Sequence, residues 1–147
     1  MYKPDYLLNL KSLCLFHDIN HNLLKKIVAA SNLYFRETNE NITIHNEQNM
    51  IIILTGKVKV HMKESSGLQY KIGCLKSSDV CFPSLFLDTH VNNSILLEVT
   101  QSTTFLEVPF LFIKKLACKD PVLKRNILRS FHKNLLSTYE EIFNLMS

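Results

Sequence analysis

Residues 50–79 constrain the fold of this chain more than any other stretch. They open with a continuous apolar run, Ile51, Ile52, Ile53 and Leu54, which meets a single glycine, Gly56. A strict alternation follows, with Val58 and Val60 on one face and Lys57, Lys59 and His61 on the other. Period two is the mark of a half-buried strand. Glu64, Ser65, Ser66 and Gly67 form a turn cluster, and a second alternation follows, Leu68, Tyr70 and Ile72 against Gln69 and Lys71. Two such runs joined by a short glycine-containing loop predict a β-hairpin.

The flanks can be placed around that hairpin. Leu7, Leu8, Leu10, Leu13, Leu15 and Phe16 fit a short helix over residues 6–16. Asp18 or Asn20 then caps a second helix over 21–31, with Leu23, Leu24, Ile27 and Val28 at helical spacing. From Leu33 the period changes, and Leu33, Phe35 and Glu37 stand against Tyr34 and Arg36. Residues 38–41 predict a turn, 42–44 a short strand and 45–49 another turn. Asn39 and Asn46 can serve where glycine is usual, because asparagine tolerates the left-handed region.

After the hairpin, 77–79 is a loop, and 80–87 is apolar but interrupted by Pro83 and Ser84. A polar loop over 88–93, a strand over 95–99, a turn over 100–103 and a last strand over 104–108 follow, ended by Pro109. Residues 110–117 predict a short helix. Asp120 and Pro121 supply an acidic N-cap and a proline at the first helical position. From there to Ser147 nothing breaks the helix. On it Leu128, Phe131, Leu135, Tyr139, Ile142 and Met146 lie three or four apart, a heptad-like seam widened by Leu136, Phe143 and Leu145. A helix apolar on more than one face needs two partners, here its own domain and a second copy of itself. The order is two helices, about eight short strands, a short helix and a long one. The expected class is α+β, an antiparallel β-roll of the double-stranded β-helix or jelly-roll-like kind, flanked by helices.

Composition narrows the function. The chain has 147 residues, 46% hydrophobic and 20% charged, enough to build one core. No apolar run approaches the roughly 20 residues that span a bilayer, and no signal peptide is evident, so a cytoplasmic protein without membrane contact is expected. The net charge of +4 permits an anionic partner without demanding one. Its one dense basic cluster, Lys114, Lys115, Lys119, Lys124, Arg125 and Arg129, reads as a solvated face near a helix start. Cys14, Cys74, Cys81 and Cys118 form no C-x-x-C pair, so neither a zinc site nor a disulfide framework is expected. His17 and His21, at i and i+4, lack a third ligand, and His45, His61 and His90 are isolated, which argues against a metal-dependent cupin-like enzyme. No nucleophile–base pair or paired carboxylates stand out, so no catalysis and no cofactor are expected.

The hairpin and its flanks resemble the sensor domain of the Crp/Fnr transcription regulators, the cyclic nucleotide-binding β-roll. The strongest match is residues 51–60, an apolar run, a glycine, then valines two apart. Gly67 matches the family's hairpin turn, and Leu75 with Ser78 and Asp79 stands where the family has a leucine and then glycine-aspartate. Leu15 and Phe16 match its opening leucine-phenylalanine, and Asp120 and Pro121 the start of its dimer helix. The resemblance spans residues 10–147 and implies a sensor domain over 1–119 and a dimerisation helix over 120–147. It also implies a homodimer that reaches DNA only through a helix-turn-helix absent from these residues, so that this chain is either a shortened form or a stand-alone domain.

The resemblance fails at the ligand. The family's phosphate-binding cassette carries Phe-Gly-Glu and, some ten residues on, arginine with serine or threonine. Here Phe82 and Pro83 stand in place of the glycine and glutamate, followed by Ser84 and Leu85, and Asn93 takes the place of the arginine, followed by Ser94. A buried cyclic phosphate without a cation costs several kcal/mol, and Pro83 removes a backbone donor. Thr138 lies where the family sets a threonine against the base, though a lone helical threonine is common. The pocket, lined by Phe82, Leu85, Leu97 and Cys81, is then either filled by its own side chains or open to a small non-nucleotide effector. Redox sensing through Cys81 is the third reading, opposed by the absence of a basic sequence neighbour. One N-terminal cysteine, Cys14, is too few for an iron–sulfur cluster. The expected function is the effector-sensing and dimerisation domain of a Crp/Fnr-type regulator. The alternative is a stand-alone regulatory β-roll that binds a small ligand or a protein partner.

Overall fold

A computed structural model describes residues 10–44, 49–81 and 93–146, with the backbone alone for 134, 135 and 137–146. A 3-10 turn, Cys14–Phe16, leads to helix α1, His21–Ala29. Six strands follow: β1 (Asn32–Arg36), β2 (Asn41–Ile44), β3 (Asn49–Glu64), β4 (Gln69–Lys76), β5 (Val80–Cys81) and β6 (Asn93–Pro109). Helices α2 (Phe110–Lys119) and α3 (Pro121–Met146) close the chain. The strands form one antiparallel sheet in the order β1-β6-β3-β4, with β2 also paired to β6 and β5 to β3. This is the expected α+β β-roll.

The predicted hairpin is β3 and β4, turned at Gly67 with φ +91°. What surprised is the length of β3 and β6, 16 and 17 residues, where several shorter strands were expected. The predicted turn at 100–103 is instead part of β6. Its residues have no positive φ, and Gln101 and Ser102 are polar because they are exposed where the strand bends, not because the chain reverses. Leu68, expected as an inward strand residue, is 58% exposed in the turn before β4.

Gly56 explains how so long a strand serves a roll. Before it, Ile51 and Ile53 face the interior of the roll; after it, Val58, Val60 and Met62 do. The inward face has passed from odd to even residues. The pairing of β3 with β6 slips at 53/55, 55/57 and 57/58, as a bulge requires. Without that slip Lys57, Lys59 and His61 would point inward. Gly56 has φ +102°, and a Cβ there would collide with the Ser102 carbonyl oxygen and with Thr103.

The sheet carries two cores. Met50, Ile52 and Leu54 point out of the roll, onto Phe16, Leu24, Ile27, Ile113, Leu123 and Ile127 of the helices. Ile51 and Ile53 point into it, among Val99, Phe105 and Leu97. Both faces are covered there, so the sequence runs apolar without alternation. Beyond Gly56 the outer face meets solvent and the alternation appears.

The caps follow the sequence. The Asn20 side chain accepts from the Asn22 N–H at 2.7 Å, while Asp18 takes a positive φ of 62°. Helix α1 ends at Ala29 rather than 31, and the Ser31 hydroxyl donates to the Ile27 carbonyl at 2.6 Å. Of the expected helix over 6–16, Leu10 and Lys11 are helical and Cys14–Phe16 form the 3-10 turn. Asn39 has φ +74°, as expected of a glycine substitute, and Asn46 lies outside the described residues. Asp120 Oδ1 accepts from the Leu123 N–H at 3.0 Å and starts α3.

Candidate effector site

The segment that would hold an effector begins where β5 ends. Turn 77–79 is fastened to β3 just before Gly56. The Ser78 N–H donates to the Ile53 carbonyl and the Ile53 N–H to the Asp79 carbonyl, each at 2.9 Å. The Ser77 hydroxyl donates to the Leu54 carbonyl at 2.7 Å. Ser78 has φ +79°, the conformation expected where the family has glycine. Val80 then enters the helix-side core and Cys81 the roll interior.

Phe82, Pro83, Ser84 and Leu85 lie outside the described residues. Asn93 opens β6 opposite Glu64, and Ser94 is buried opposite Lys63. Asn93 Oδ1 is buried with no hydrogen-bond partner among the described residues. An amide carries no charge, so Asn93 cannot neutralise a cyclic phosphate as an arginine would. Leu97 and Cys81, expected at the pocket wall, are fully buried in one cluster with Ile53, Val99 and Phe105. Burial pushes the Cys81 thiol up to about 12, so it is held as a neutral packing group.

The seam of α3 divides. Phe131 is half-buried and meets Phe110 edge to face at 5.8 Å, so it packs on its own domain. Leu123 and Ile127 draw that side of the helix onto the helix-side core. Leu128 and Leu136 are 58% and 48% exposed. The side chains of Leu135, Thr138, Tyr139, Ile142 and Met146 lie outside the described residues.

Three features escaped the sequence reading. Lys133 Nζ reaches Asp79 Oδ1 at 2.8 Å, tying α3 to the turn before β5. The Asn126 amide, 4% exposed, donates to the carbonyls of Leu15 and His17 at 3.1 and 2.9 Å. On the outer face His61 and Glu98 meet at 3.0 Å across β3 and β6. The polar stripe on α3 was the available signal for the first two. No three His, Cys, Asp or Glu side chains gather as metal ligands among the described residues. No helix there is long and apolar enough to cross a membrane.

A roll of this topology, with a long helix leaving its last strand through a short one, defines the cyclic nucleotide-binding-like fold of Crp/Fnr-type sensor domains. The sensor domain of the regulator DNR from Pseudomonas aeruginosa is similar over 88% of this chain and 92% of its own, at TM-score 0.68 and 14% identity. A variant of CooA from Carboxydothermus hydrogenoformans is similar over 95% of this chain and 84% of its own, at TM-score 0.63 and 15% identity. The catabolite activator protein of Thermus thermophilus is similar over 90% of this chain, at TM-score 0.63 and 16% identity, and this chain spans 63% of its length. No family model matches the sequence. No curated protein matches it either. At these identities the likeness is one of fold.

Proposed function

We propose that this chain is the effector-sensing and dimerisation domain of a Crp/Fnr-type transcription regulator in which the phosphate-binding cassette no longer serves cyclic AMP. Residues 1–119 would form the sensor and 120–147 the dimer helix, with DNA reached only through a separate helix-turn-helix. The observation that supports the ligand reading is Asn93, set by the resemblance in the arginine's place, whose buried Oδ1 has no hydrogen-bond partner among the described residues. A cyclic phosphate at that end of β6 would meet an uncharged amide instead of a cation, and Pro83 offers no N–H. Phe82, Pro83, Ser84, Leu85, Ser94 and Thr138 would line a pocket that takes a non-nucleotide effector or its own side chains. Changes there would reach the partner copy through the long helix.

Calorimetric titration of the chain with cyclic AMP tests this. No saturable heat is expected up to about 1 mM, a binding free energy weaker than about 4 kcal/mol. A dissociation constant near or below about 1 μM overturns the reading. The neighbours of this fold are regulatory proteins, and the reading assigns the chain no catalysis.

A further inference from the structure

A cleft of about 450 Å³ lies between α3, the β4–β5 turn and the N-terminal 3-10 turn. Its lining shares no residue with the effector pocket proposed above, although Val80 lies two residues before Phe82 and Lys133 five residues before Thr138. Its turn is bonded to β3 at Ile53, whereas Asn93 pairs with Glu64.

The face of α3 that meets this cleft is polar. Asn126, Arg129, Ser130 and Lys133 fall at i, i+3, i+4 and i+7, the spacing of one stripe on a helix. One turn earlier the same side of the helix is apolar, with Leu123 buried in the core. Asn126 spends both amide protons holding Leu15 and His17, which fixes the opposite wall and brings the His17 imidazole to the rim. Arg129 and Lys133, one turn apart, repel each other. Asp79 answers Lys133 at 2.8 Å, but Arg129 has no ion pair or hydrogen bond among the described residues.

We infer that this cleft binds a small phosphate monoester, with the Arg129 guanidinium and the Lys133 ammonium on the phosphate. A dianion between the two cations relieves their repulsion, and the guanidinium fork matches two phosphate oxygens. Asp79 holds Lys133 through Oδ1 and the Lys76 N–H through Oδ2 at 3.0 Å, which keeps the ammonium at the cleft wall while its remaining protons face the ligand. The volume lies within the range of small-molecule sites and exceeds that of a bare phosphate. Ser12 and His17 on the far wall face the ester's body, which is best hydroxylated.

The test titrates the full chain with glycerol 3-phosphate, with inorganic phosphate and glycerol as comparisons, following amide shifts by NMR. Saturable shifts confined to turn 77–79, residues 12–17 and α3 are expected with glycerol 3-phosphate. Arg129→Gln, whose exposed side chain leaves the core intact, weakens binding about tenfold or more, the loss of one charge-assisted contact. Lys114→Gln, exposed on α2, leaves it unchanged. The inference is overturned by unsaturable or scattered shifts, by wild-type affinity in Arg129→Gln, or by equal binding of glycerol. Inorganic phosphate binding as tightly as the ester also overturns it, since the body of the cleft would then recognise nothing.

Discussion

Replacing Gly56 by alanine tests how the roll is built. The backbone there has φ +102°, which an L-residue adopts at a cost of about 1–3 kcal/mol. The new Cβ would lie 2.6 Å from Thr103 Cα and would also overlap the Ser102 carbonyl oxygen and Thr103 Oγ1. Those atoms belong to β6, the strand paired with β3 along most of its length, so relief requires the two central strands to part. Overpacking of that kind costs about 1–3 kcal/mol. Against this, alanine loses less chain entropy than glycine, worth about 0.4–1 kcal/mol. The net loss is about 1–6 kcal/mol, against the roughly 5–15 kcal/mol that holds a domain folded. The other two glycines are internal controls. Gly67 shares the positive φ, +91°, but an added Cβ meets nothing within 4 Å, so Gly67→Ala costs the backbone strain less the same entropy gain, about 0–3 kcal/mol. Gly73 has open space and no positive φ, so Gly73→Ala stays within about 0.5 kcal/mol of wild type. Urea unfolding followed by circular dichroism ranks the three. If Gly56→Ala is no more destabilising than Gly67→Ala, the contact with β6 does not set the bulge and the reasoning fails.

Asn126→Ala leaves the Leu15 and His17 carbonyls unpaired and lowers stability by about 1–3 kcal/mol, read as a drop of about 2–4 °C in melting temperature per kcal/mol. In native protein Cys81 resists iodoacetamide at neutral pH while the exposed Cys14, Cys74 and Cys118 react, as mass mapping would show; rapid alkylation of Cys81 refutes its assignment as a packing group. The same thiol links stability to pH. Its folded value is raised from 9.0 to about 12, so its contribution is complete below 9.0 and is lost as pH rises from there toward 12, measurable by denaturant midpoints. For the proposed homodimer, Leu128→Glu and Leu135→Glu each yield monomers in sedimentation velocity; an unchanged association state removes α3 as the interface.

Local chemistry was legible in the sequence because it acts over a few residues. Asn20, Asn39 and Asp120 sit where a side-chain acceptor or a left-handed backbone is needed, and they occupy those places. The alternation at Lys57, Val58, Lys59 and Val60 was legible because one face of the strand is wet. The continuity of β6 was not, since Gln101 and Ser102 carry the polarity of a turn while pairing as a strand. The candidate site was legible mainly as a departure. The resemblance sets Asn93 in the arginine's place, whereas the lack of a partner for its oxygen among the described residues needed the packing of β6.

The sequence by itself determined that this chain rolls an antiparallel sheet between terminal helices, because period and capping are written in neighbouring residues. It also gave the expectation that Asn93 replaces the arginine of the family's cassette, because residue identity is read directly along the chain. Only the tertiary structure decided that Gly56 exchanges the inward face of β3, since a bulge is defined by the strand across from it. It alone turned Phe131 onto its own domain and joined Lys133 to Asp79, 54 residues apart. Such contacts depend on how a helix is rotated against a sheet, and that rotation is set by the core as a whole.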